Sequence, residues 1–142
     1  MKAVLDASVI VKWLFADPER EDLTTEATAL MNAVVEGRIA AMQPAHWLAE
    51  VGAVLARATP RTAERDIFML CGLNLDVMDE PHVMQRACRL SISLNQHMFD
   101  TLYHAVALEH GATLISADRR YYHKARHYGR IVYLADWRPA DS

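Results

Sequence analysis

Two short apolar runs in this chain, Lys2-Ala-Val-Leu-Asp6 and Ala112-Thr-Leu-Ile-Ser-Ala-Asp118, each end on an aspartate, and each is followed by a helix-like segment. Runs of four to six apolar residues alternating with helical periodicity predict an α/β fold with right-handed crossovers, hence a parallel sheet with helices on both faces. In such a sheet ligands bind beyond the carboxyl ends of the strands, where strand order reverses. Acids ending two strands can meet there.

Along the chain the pattern predicts a strand over 2–6, a helix from Ser8, an acidic loop through Asp17-Pro18-Glu19 and a helix from about Leu23 to Glu36, stopped by Gly37. Arg38 to Gln43 reads as a second strand, with Pro44 at the first helical position of the next helix, where its missing N–H costs nothing. Thr59-Pro60 separates that helix from another ending near Gly72. A third strand over Asn74–Met78 precedes a helix from Pro81 to about Leu94. A helix over Asp100–His110 then ends at Gly111 and leads into the fourth strand. After a basic helix, Gly129 introduces a fifth strand, Arg130–Leu134.

Four acids stand where a strand ends or a helix begins: Asp6, Glu50, Asp100 and Asp118. Asp6 ends a buried strand, while Ser8 is available to cap the helix behind it, so capping alone does not account for an acid that loses solvation there. Glu50 borders the apolar stripe of Trp47, Leu48, Val51, Val54 and Leu55, a place that a solvated Glu also suits. Asp100 lies in a first helical turn and Asp118 precedes one, both ordinary capping positions. Converging carboxylates suggest a divalent cation. Without it they repel, which predicts at least one pKa above the ordinary value. Asp79 and Glu80 read as the N-terminal acids of the helix that Pro81 opens.

A length of 142 residues with 52% apolar content fits one domain spanning 1–142. Its formal charge of −3 conceals one basic segment: Arg119, Arg120, Lys124, Arg126 and Arg130 fall together with no acid among them. Tyr121, Tyr122 and Tyr128 interleave with these cations, a pattern that can stack unpaired bases while Arg and Lys hold phosphates. His123 and His127 share a helical spacing but lack a third ligand for zinc. Cys71 and Cys88 have no zinc or redox spacing and read as buried, reduced thiols. Asp6 and Lys12 interrupt the N-terminal apolar run, against a signal sequence, and no run reaches a membrane span; a soluble, cytoplasmic protein is expected.

Leu5-Asp6-Ala-Ser8, Pro44-Ala-His-Trp47-Leu-Ala-Glu50-Val51, Phe99-Asp100-Thr-Leu-Tyr103 and Ser116-Ala-Asp118 resemble, in order, the four acid motifs of the PIN-domain ribonucleases. The resemblance extends over nearly the whole chain and is closest to the toxins of VapBC toxin–antitoxin pairs. It implies a single PIN-like domain with a five-stranded parallel sheet in the order 3-2-1-4-5. It further implies Mg2+ or Mn2+, RNA cleavage, homodimers and inhibition by a cognate antitoxin. Where the family often has Asn three positions after the second acid, this chain has Ala53. The expected activity is that of a metal-dependent endoribonuclease in which Asp6, Glu50, Asp100 and Asp118 hold metal, Ser8 supports Asp6, and Arg119, Arg120, Lys124 and Arg126 bind RNA. An aspartyl phosphatase-like hydrolase is a rival, but it needs a second Asp where Ser8 stands. The other rival is a non-catalytic RNA- or partner-binding domain, which has little reason to keep four acids.

Overall fold

The fold comes from a computed structural model that describes residues 1–15 and 22–139; the expected acidic loop at Asp17-Pro18-Glu19 lies outside them. Five strands and seven helices alternate: β1 (Lys2–Leu5), α1 (Ala7–Leu14), α2 (Thr24–Val35), β2 (Ala40–Gln43), α3 (Trp47–Ala58), α4 (Ala63–Cys71), β3 (Asp76–Val77), α5 (Pro81–Leu94), α6 (Met98–His110), β4 (Thr113–Ser116), α7 (Arg119–Ala125) and β5 (Ile131–Tyr133). Short 3-10 turns lie at Arg126–Tyr128 and Leu134–Asp136. The strands form one sheet, all parallel, in the order β3-β2-β1-β4-β5. Order reverses between β1 and β4, where Val4 pairs with Leu114 and Leu5 with Ile115. Right-handed crossovers then place α1–α4 on one face and α5–α7 on the other.

The core is built on β1 and β4: Ala3, Val4, Leu5, Leu114 and Ile115 are wholly buried. Helix α6 is buried without interruption from Thr101 to Ala107, as befits a helix packed on the sheet and on α5 together. Truncating Leu114 to Ala there costs about 2–5 kcal/mol. Gly111, at φ 64°, turns α6 into β4 in a conformation that side chains with a Cβ rarely adopt.

Several expected boundaries shift for identifiable reasons. Asp6, not Ser8, is the N-cap of α1; its carboxylate accepts from the Ser8 N–H at 3.1 Å. Pro44 opens a turn closed by the Trp47 N–H on its carbonyl, so α3 starts at Trp47. Edge strand β3 is cut to two residues because Asn74 takes φ 53°, although the Met78 N–H still reaches the Gln43 carbonyl at 2.8 Å. Cys71 and Cys88 are exposed, contrary to expectation. Leu70 and Ala87 take the inward positions, and the next residue lies about 100° round the helix.

Candidate functional site

Backbone pairing carries β1 to its last residue, and beyond it side chains hold the chain in place. Buried Gln43 gives its Oε1 to the Leu5 N–H at 2.7 Å and donates from Nε2 to the Leu5 carbonyl at 2.8 Å, extending the β1–β2 ladder with an amide side chain. On the other side the Asp6 N–H reaches the Ile115 carbonyl at 3.1 Å. The end of β1 is thus held from both neighbouring strands, at Leu5 from β2 and at Asp6 from β4. The Asp6 Oδ2 accepts from the Ser8 hydroxyl as well as the Ser8 N–H, and the same hydroxyl accepts from the Ala117 N–H at 3.0 Å. Ser8 therefore ties the end of β1 to the end of β4 through Asp6.

Asp118 follows β4 and caps α7, its Oδ1 accepting from the Tyr121 N–H at 3.0 Å. Asp100 does not cap. It sits in the first turn of α6, whose N-cap is His97, and its Oδ2 accepts from Gln96 Nε2 at 2.7 Å. Lys124 in turn donates to Gln96 Oε1 at 2.9 Å and to the Asn95 carbonyl at 3.0 Å. Glu50, in the first turn of α3, has Oε2 3.1 Å from His46 Nε2. That nitrogen also lies 2.8 Å from the Phe99 carbonyl, an acceptor, so it carries the proton.

Asp6 and Asp100 feel the charges of other acids. Burial pushes the Asp6 carboxyl up to about 6; the Ser8 hydrogen bonds pull against this, and the charges of Glu50 and Asp100 add to it. Burial likewise raises Asp100, opposed by Gln96 and reinforced by Glu50 and Asp118. The expected raised pKa is therefore present, but lost solvation is its main cause and repulsion contributes less. Between them stands Tyr103, wholly buried, its hydroxyl driven far above its ordinary pKa by burial and by Glu50, Asp6 and Asp100. It remains a donor at any physiological pH. No hydrogen-bond partner for that hydroxyl is found among the described residues.

Such a set suits a hard divalent cation: all four candidate ligands are carboxylates, and a buried hydroxyl without a protein partner faces the same charges. In the protein alone the set is open, because no three of these acids bring their oxygens within 4.8 Å of one another. Among the described residues the one cluster that compact is Glu80, His82 and His110, on α5 and α6.

Arg119, Arg120 and Arg126 are exposed, and the Arg119 guanidinium lies 5.4 Å over the Tyr133 ring. Lys124 differs, being occupied by the loop that orients Asp100. Phe99 is 63% exposed with its ring stacked on His46, centroids 5.3 Å apart. Sequence reasoning missed Gln43, His46, Gln96 and Tyr103; of these only His46 left a trace, its four-residue spacing from Glu50. Ala53 is exposed on α3.

A family profile described as the PIN domain matches residues 3–127. No curated protein sequence matches the chain. The crystal structure of PAE2754 from Pyrobaculum aerophilum superposes with a TM-score of 0.65 over 95% of this chain and 90% of that one, at 15% identity. VapBC2 from Rickettsia felis, bound to a DNA fragment from its promoter, gives a TM-score of 0.63 over 94% and 97%, at 14% identity. At these identities the likeness concerns the fold. No helix among the described residues is long and apolar enough to cross a membrane.

Proposed function

The chain belongs to the PIN-domain family, and from that premise we propose that it is a metal-dependent endoribonuclease serving as the toxin of a toxin–antitoxin pair. In this reading residues 1–142 form one domain, the cofactor is Mg2+ or Mn2+, the substrate is cytoplasmic RNA, and the partners are a second copy of the chain and a cognate antitoxin. The observation that carries it is Asp6, an acid at the sheet's switch point raised to about 6 by burial and by two further acids. A purely structural cap has no need of that company.

Asp6, Glu50, Asp100 and Asp118 would hold the cation, directly or through water. When bound, a divalent cation lowers the pKa of coordinated water and offsets charge on the phosphoryl oxygens. The remaining chemistry belongs to the chain. Ser8 fixes Asp6 and Gln96 fixes Asp100, so that neither carboxylate must reorganise to bind. The Tyr103 hydroxyl, which keeps its proton, would be free to donate to a bound water or substrate oxygen. Glu50 or Asp118 accepts the proton of the attacking water. Exposed Arg119, Arg120 and Arg126 neutralise backbone phosphates, and Phe99 offers a face to an unpaired base.

The antitoxin reading draws on the Rickettsia structure, which is of a VapBC pair, and on apolar side chains that α3 and α4 expose, Val54, Phe68 and Met69. The test is RNA cleavage by the purified chain with Mg2+ or Mn2+ and with excess EDTA. Undiminished cleavage in EDTA would refute the metal mechanism, and binding without cleavage under any metal would favour the non-catalytic domain.

A further inference from the structure

Helix α5 begins where α6 ends. The three-residue loop 95–97 joins the two into an antiparallel pair, which brings Glu80 and His82, at the start of α5, against His110, the last residue of α6. His110 Nε2 lies 3.0 Å from Glu80 Oε1, the His82 and His110 rings are 6.1 Å apart between centroids, and the three ligand atoms fall within 4.8 Å of one another. Ligands sharing a cation at about 2.0–2.1 Å are separated by roughly 3–3.5 Å, so small side-chain rotations complete the set.

Two of these atoms lack what buried polar atoms ordinarily have. His110 Nε2 and Glu80 Oε2 are shielded from solvent and make no hydrogen bond, since the 3.0 Å approach of His110 to Glu80 is poorly directed for one. Arg86, one turn beyond His82, is turned to Glu109 at 3.7 Å.

We propose that Glu80, His82 and His110 form a second metal site, separate from the carboxylate crevice, that takes a borderline transition-metal cation such as Zn2+ and braces α5 against α6. Two imidazoles and one carboxylate are the donors such a cation prefers and Mg2+ does not. The fourth position is left to water. Asp100 lies ten residues before His110 on the same helix, about 15 Å away, so one ion cannot serve both places.

Calorimetric titration of the whole protein with Zn2+, alongside thermal melts and Co2+ spectra, tests this. The parent is expected to bind one zinc tightly, to melt higher with zinc, and to give Co2+ the visible bands of a low-coordinate nitrogen-ligated ion. Each of His82→Ala and Glu80→Gln should weaken that binding by roughly tenfold or more, while Asp6→Asn leaves it intact. His82 is exposed, so its replacement tests ligation without disturbing the core. If zinc affinity and the melting response persist in both His82→Ala and Glu80→Gln, or disappear only in Asp6→Asn, the site does not exist.

Discussion

The two ends of α6 carry opposite kinds of polar cluster. At its first turn Asp100 shares a field with other carboxylates, all-oxygen and spread beyond 4.8 Å, of which Asp6, Asp100 and Asp118 are fastened by protein hydrogen bonds. At its last residue His110 meets a compact set of mixed nitrogen and oxygen donors, two of whose buried atoms make no hydrogen bond among the described residues. The first arrangement is pre-organised for a hydrated hard cation. The second is short of a partner that the protein itself does not supply. One helix thus separates two chemistries that differ in donor type, and metal preference is the property on which they should part.

The largest expected effect lies at the first end. Asp6→Asn keeps the shape and the capping ability of the residue, since Asn caps as well as Asp, but removes its charge. RNA cleavage should fall by roughly two to three orders of magnitude or more, the scale of losing a group that stabilises charge in a transition state. Growth arrest on expression should vanish with it. His82→Ala should leave both unchanged. Full activity in Asp6→Asn, or a comparable loss in His82→Ala, would erase the distinction between the two ends.

Next comes stability without metal. The folded Asp6 carboxyl is raised from 3.8 to about 6, so the folded state holds its proton more tightly than the unfolded chain. Well below the unfolded value of 3.8 both states are protonated and there is no penalty. As pH rises from about 4 to 6 the unfolded chain releases its proton first, and stability falls by an amount that then stays constant. Allowing for partial exposure of Asp6, that loss is on the order of 2 kcal/mol at pH 7. Asp6→Asn should therefore stabilise the metal-free protein at pH 7, with the advantage fading below pH 5. It should also blunt stabilisation by Mg2+, which binds only the folded state, and leave that by Zn2+ intact. Urea melts in EDTA across pH check the first half; a mutant weaker than its parent at pH 7 would make Asp6 chiefly the anchor of β1 to α1.

These contrasts also explain what the sequence disclosed. Asp6 and Asp118 could be read because each ends an apolar run, and a strand's end is a local property. Their being neighbours is what the switch-point rule wants and what the family resemblance implies through the order 3-2-1-4-5, and the sheet order agrees. Gln43 could not be read: it bonds Leu5 across 38 positions, and in the sequence it is only a polar residue at the end of a strand. His110 meets Glu80 across 30 positions for the same kind of reason, so a search for closely spaced ligands stopped at His123 and His127. Asp100 lies in a first helical turn as the sequence predicts, but α6 begins at Met98 and its partner is Gln96 rather than a backbone N–H. Exposed cysteines and the late start of α3 depend on which helix face packs inward and how a turn closes, differences of a residue or two that periodicity does not resolve.

The smallest effect separates Lys124 from the arginines beside it. Sequence groups Arg119, Arg120, Lys124 and Arg126 as phosphate contacts, but the Lys124 ammonium is already shared between Asn95 and Gln96, and Gln96 holds Asp100. If that link positions Asp100, Lys124→Gln should lower kcat several-fold with little change in the salt dependence of RNA binding, because few counterions are displaced by a cation already engaged. Replacing Arg119 and Arg120 together by Gln should do the reverse, weakening binding at low salt and reducing the slope of log K against log salt by roughly 0.7 for each lost contact on single strands. Binding titrations from low to high salt, with single-turnover cleavage on the same variants, tell the roles apart. Should Lys124→Gln lose salt slope as the arginine variant does and keep its cleavage rate, Lys124 is one more phosphate contact, and the Gln96 link is incidental to Asp100.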